Sequence, residues 1–179
     1  MTVFRLLVFV VLVAMASPAL GGPVTVGDRI LDLHLPVPAD EAAQAELGVQ
    51  GKKTFSLADL KADLIFLEVV GIYCPFCVKQ APGFKTLHGR LNKGKLKGRV
   101  AMFALAAGAT EEEVKKLVGT GQYLFPVISD PDFAAHKALG DPLTPYTLVC
   151  RPDGTILYSH LGVVDDVNDL YQQIKGFLD

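Results

Sequence analysis

The chain has 179 residues, half of them apolar and a fifth charged, with a net charge of −2 at pH 7. That length and composition suit one globular domain with a full hydrophobic core. The near-neutral balance, without a basic tract long enough to follow a phosphate backbone, excludes nucleic acid as an expected partner.

At the N-terminus, Arg5 precedes an unbroken apolar run from Leu6 to Ala16, and Ser17-Pro18-Ala19-Leu20-Gly21-Gly22 follows. A positive end, a short apolar segment and small residues form the order of a secretory signal peptide over residues 1–21. The alternative is an N-terminal membrane anchor, because no charge falls between Leu6 and Gly27. Either way residues 22–179 are expected as an exported domain, periplasmic or otherwise extracytoplasmic.

Val24 to Lys53 is a polar, proline-bearing lead-in with a short helix expected around Asp40–Leu47, and Leu57–Lys61 suits one helical turn. Leu64–Val70 reads as a strand apolar on both faces, as in the middle of a covered parallel sheet, with Glu68 as its lone acid. A helix starts at Cys74-Pro75-Phe76-Cys77 and runs to about Leu91. A lysine- and glycine-rich loop, Asn92–Arg99, leads to a second buried strand, Val100–Ala106. Thr110 and Glu113 make a capping box for the next helix, which Gly119 is expected to stop. A short strand at Phe125–Ser129 and a helix at Pro131–Leu139 come next. Tyr146–Arg151 and Thr155–Leu161 flank Pro152-Asp153-Gly154, the signature of a hairpin. Asp166–Leu178 closes the chain as an amphipathic helix presenting Val167, Leu170, Ile174 and Phe177. Strands alternating with helices, then a hairpin and a helix, describe a compact α/β layer fold.

The three cysteines are Cys74, Cys77 and Cys150. A bridge across two intervening residues removes little loop entropy, so the Cys74–Cys77 spacing favours reactivity over stapling. With Cys74 at the helix N-cap and Pro75 at the first helical position, free N–H groups and the helix dipole point at the Cys74 sulfur. Both favour thiolate, which makes Cys74 the attacking residue and Cys77, one turn in, the resolving one. Glu68, buried in its strand, is expected to have a raised pKa and to accept the Cys77 proton through water. Tyr73 and Phe76 flank the cysteines as an apolar rim suited to docking partner proteins. Cys150 ends an apolar strand and reads as a buried small hydrophobe. His88 is expected on a solvent face, and His34, His136 and His160 share no spacing that implies a metal; a zinc site would need four ligands.

With Glu68 six residues before Cys74, Pro82 five after Cys77, Thr144-Pro145 ahead of a strand and Gly162 after the hairpin, the chain resembles the thioredoxin superfamily. The likeness spans about Val24 to the C-terminus. It is closest to the TlpA/ResA-like exported thiol–disulfide oxidoreductases, which border the peroxiredoxins. The resemblance implies a central mixed sheet flanked by helices, with an N-terminal extension and an inserted strand and helix. It further implies that Pro145 is a cis-proline whose neighbour Thr144 pairs with a substrate strand, and that Tyr73, Pro75, Phe76, Thr144 and Gly162 contact substrate. Tyr73 stands where the family usually has Trp, and Pro75-Phe76 differs from thioredoxin's Gly-Pro. The implied chemistry needs no cofactor beyond the Cys74–Cys77 disulfide. The implied partners are protein thiols or disulfides and a membrane redox protein that renews the active form, with the chain itself a monomer.

Three functions follow. The first is an exported oxidoreductase acting on protein cysteines, as a reductant in envelope disulfide metabolism or cytochrome c maturation; oxidation and isomerisation use the same machinery. The second is a peroxiredoxin-like thiol peroxidase, whose Pro-x-x-x-Thr/Ser-x-x-Cys arrangement is missing, since Gly71 stands where Cys74 would require Thr or Ser, and counting back from Cys77 places Cys74 at the hydroxyl position and Val70 at the proline position. The third is a non-enzymatic binding module built on the same surface.

Overall fold

Every position of β3 (Leu64–Val70) is buried, because both faces of the sheet it centres are covered. The computed structural model describes residues 22–179, so the leader expected at residues 1–21 lies outside the described residues. β3 pairs in parallel with β4 (Val100–Ala107) and antiparallel with β6 (Tyr146–Cys150). Outside these, β5 (Val127–Asp130) joins β4 in parallel and β7 (Ile156–Leu161) joins β6 antiparallel, giving the order β5-β4-β3-β6-β7. This is the mixed sheet flanked by helices that the resemblance implied.

Side chains alternate along β3, so its residues divide between two cores. Ile65, Leu67 and Val69 pack with Leu35, Leu47, Phe55 and Leu57 from the lead-in. Leu64, Phe66 and Val70 pack beneath α2 (Pro75–Leu91) on Ala81, Phe84 and Leu87, and α5 (Val167–Gly176) adds Leu170 and Ile174. Phe66 and Phe84 meet edge to face at 5.0 Å, which ties the helix bearing the cysteines to the central strand.

Five elements differ from the sequence-based expectation. The lead-in holds a small sheet of β1 (His34–Pro36) and β2 (Thr54–Ser56) with α1 (Glu41–Leu47) between them. Each of its strands has one inward residue, Leu35 or Phe55, too little alternation to mark a strand. α3 (Glu111–Gly119) starts at the Thr110–Glu113 capping box but runs through Gly119; the left-handed residue past its end is Gly121 at φ +72°. β5 begins after Pro126, which has no N–H to give the ladder. α4 (Ala134–Ala138) is shorter than expected because Phe133 is left-handed, at φ +56°. Its first turn is instead held by the Asp130 carboxylate, which accepts the N–H groups of Ala135 and His136 at 3.1 and 2.9 Å.

The hairpin turn is pinned by the lead-in. Ile30 N–H donates to the Gly154 carbonyl at 2.9 Å, and Ile156 N–H donates to Asp28 at 3.0 Å. A Cβ at Gly154 would collide with the Ile30 carbonyl oxygen, at a backbone φ of +87° that only glycine adopts easily. Gly154→Ala is therefore expected to cost about 2 kcal/mol or more, seen as a lower urea midpoint. An unchanged midpoint would show that the lead-in is not seated there.

Candidate active site

β3 ends at Val70, and after three connecting residues Cys74 caps α2 in an extended conformation, φ −89° and ψ 108°. Pro75 takes the first helical position, where a missing N–H costs nothing. The Cys77 N–H points at the Cys74 sulfur, N to Sγ 3.1 Å. The two cysteines are joined as a disulfide with Cα atoms 5.3 Å apart. Cys74 is partly exposed, whereas Cys77 is only 2% exposed, sealed under the first turn against the α2 core. Pro82 lies inside the same helix.

Across from the cap, the Thr144–Pro145 peptide is cis, and the Thr144 carbonyl oxygen is 3.6 Å from Cys74 Sγ. Gly162, left-handed at φ +94°, donates its N–H to the Pro145 carbonyl at 2.9 Å. The fold thus brings the residues expected at the site to one end of the sheet. Tyr73 and Phe76 stand on either side of Cys74, 89% and 62% exposed. Beside Cys74 opens a cleft of about 420 Å³ bordered by Gly71, Ile72, Gly108, Phe133 and Thr144. The Phe133 ring lies directly over Gly108, where any Cβ would clash with it.

Glu68 is wholly buried on the α2 face of β3. Gln80 on α2 donates Nε2–H to Glu68 Oε1 at 2.8 Å, and Glu68 Oε2 has no partner. Burial pushes the carboxyl up to about 8, against the Gln80 hydrogen bond, which favours the ionised form. Such a group trades protons readily with a thiol near neutral pH. Cys150 lies in the other core, on the opposite face of the sheet, fully buried, with its thiol pushed up to about 12 by desolvation. His88 is largely covered rather than solvent-facing: its Nε2 lies 2.6 Å from Glu46 Oε1 and 2.7 Å from Asn92 Nδ2, with its ring against Phe125. Among the described residues no helix is long and apolar enough to cross a membrane.

Residues 26–174 match the family model described as Redoxin. The chain belongs to the Redoxin family. This redoxin is 30% identical over 130 residues to the thiol-disulfide oxidoreductase ResA of Bacillus thuringiensis, a match covering 73% of this chain and 69% of that protein. To the ResA of Halalkalibacterium halodurans it is 26% identical over 127 residues, covering 71% and 67%. Its fold is shared with the thioredoxin domain of a thiol-disulfide oxidoreductase from Bacteroides vulgatus, at a TM-score of 0.64 and 15% identity, covering 87% of this chain and 99% of that one. Together these make it a TlpA/ResA-like thiol–disulfide oxidoreductase of the thioredoxin superfamily.

Gln80, Thr147 and Phe133 are the residues near the redoxin site that sequence reasoning missed. Gln80 was within reach, because it lies three residues after Cys77 and therefore on the same helical face. Thr147 needed the β3–β6 register, which sets it opposite Glu68. Phe133, left-handed at φ +56°, borders the cleft from a position that no pattern in the sequence marked.

The buried acid gives stability a pH dependence. Folded Glu68 holds its proton up to about 8, whereas the unfolded chain releases it at 4.5, so the native state binds more protons between those values. Stability is then expected to fall as pH rises through that window. Glu68→Gln should flatten the slope and raise stability at about pH 8.5 by on the order of 3–5 kcal/mol. Urea unfolding of the oxidised proteins at about pH 5.5 and 8.5 checks this; equal slopes would contradict it.

Proposed function

We propose that this redoxin is exported and exchanges electrons with protein cysteines through the Cys74–Cys77 couple, as a reductant in envelope disulfide metabolism or cytochrome c maturation. The cap geometry carries the reading: a partly exposed sulfur receives an N–H at 3.1 Å at the positive end of a 17-residue helix, with its partner sulfur sealed behind it. The Cys74 thiolate attacks a client disulfide, forming a mixed disulfide as the client's own S–S bond breaks. The displaced client sulfur leaves as a thiolate and takes a proton. Cys77 passes its proton to Glu68 and attacks Cys74 Sγ, so the Cys74–Cys77 bond forms and the mixed disulfide breaks. Two electrons have then moved to the client, and a membrane dithiol partner restores the reduced pair.

Exposed Tyr73, Phe76 and Pro75 suit an apolar client surface, and the Thr144 backbone beside Cys74 suits an extended client strand, with Pro145 and Gly162 shaping that edge. The charge-free apolar run from Leu6 supports export, by a cleaved leader or as an anchor for a monomeric domain. Cys77→Ala is expected to accumulate mixed disulfides with protein clients through Cys74, separable on non-reducing gels, and Cys74→Ala to accumulate none. Insulin reduction should fall by about 10³-fold in either variant. Absence of trapped species, with insulin reduction intact, would remove this proposal.

A further inference from the structure

Gln80 is 3% exposed and makes two buried hydrogen bonds that hold it between two parts of the fold. Its Oε1 accepts the Val164 N–H at 2.7 Å, and its Nε2 donates to Glu68 Oε1 at 2.8 Å. A backbone N–H can only donate, so Val164 forces the amide oxygen toward itself and the amide N–H toward Glu68. The carboxyl is thereby made asymmetric, with Oε1 occupied and Oε2 unpartnered. Cys77 precedes Gln80 by three residues and shares its helical face, so the resolving sulfur and the amide both face the layer that contains Glu68.

We propose that Gln80 is a positioning residue for the buried acid: held by Val164, it engages Glu68 Oε1 and leaves Oε2 as the oxygen that takes the Cys77 proton. In that step the Cys77 S–H bond breaks, the Oε2–H bond forms, and the sulfur keeps the electron pair with which it attacks Cys74. The role deepens the exchange function proposed above and rests on it. It also links the acid to the segment after β7, because Val164 lies two residues beyond Gly162, whose N–H holds the Pro145 carbonyl.

The other groups around the acid do not duplicate this role. Tyr123 is held neutral by burial and by the Glu68 charge. Ala104 is the β4 neighbour of Glu68 and has no polar side chain. On β6, Thr147 lies directly opposite with a buried hydroxyl that has no partner, and His160 follows beyond it on β7, its Nε2 3.1 Å from the Val163 carbonyl. From α5, Leu170 and Ile174 pack into this layer.

The test is the titration of the Glu68 carboxyl, followed by carbon NMR in the oxidised protein, beside the pH profile of insulin reduction. Removing an N–H that favours the carboxylate should raise the midpoint, so Gln80→Leu is expected to shift it up by about one pH unit and slow reduction at pH 7 about tenfold. Trapping through Cys74 in a Cys77→Ala background should be unchanged. Gln80→Glu keeps an acceptor for Val164, guarding against a failure of Gln80→Leu to fold. Its second carboxyl should also move the Glu68 midpoint upward. A midpoint and pH profile within twofold of the native protein in both variants would overturn the role of Gln80. A native protein that reduces no disulfide would overturn the exchange function instead, and the carboxyl titration would still report on Gln80.

Discussion

The contact between the Cys77 N–H and the Cys74 sulfur at the head of α2 sets the terms for the rest of the molecule. It exists only because β3 delivers the chain to the edge of the sheet and the helix cap follows four residues after the strand's end. A sulfur in that place is stabilised as an anion by the free N–H groups of the first turn and by the helix dipole. The same turn buries Cys77 while leaving Cys74 open on the cleft side. Chemical difference between two identical side chains therefore arises from position along one helical turn.

The second constraint is energetic and opposes the first. A carboxyl placed in the middle of a buried strand is held neutral near pH 7 at a cost in stability that a leucine there would avoid. The surrounding residues reduce that cost without removing it. Gln80 supplies one hydrogen bond, and Oε2 is left without any. Local departures from good packing rules are expected where function needs them, and this one lies on the same sheet face as Cys77. Cys150, equally buried but on the other face, shows the alternative: a thiol pushed up by desolvation, which favours its protonated form.

Much of this architecture was legible in the residues. Leu64–Val70 announced a central strand by being apolar at every position but one, and Thr110 with Glu113 marked a helix start through complementary side chains. The elements that escaped were those governed by distant partners or by a backbone conformation that no residue pattern marks. β1 and β2 are too short to carry a pattern of their own and persist because Leu35 and Phe55 reach the core under β3. α4 begins late because one phenylalanine adopts a left-handed backbone, and no local pattern signals that. His88 looked solvent-facing from its helix alone, and it is covered because α1 brings Glu46 to it from the lead-in.

By itself the sequence determined the reactive pair, its place at a strand-to-helix junction and the acid six residues before it, because spacing along one strand and one helix is a local property. It determined also that Pro75 begins that helix and that Cys77 lies one turn inside. Only the tertiary structure decided what surrounds these groups. Thr144 comes from 70 residues away to stand beside Cys74, and Val164 comes from 84 residues away to orient Gln80 toward Glu68. Contacts of that separation depend on sheet order and register, which place β6 beside β3 and β7 beside β6 and leave no trace in the local pattern of residues.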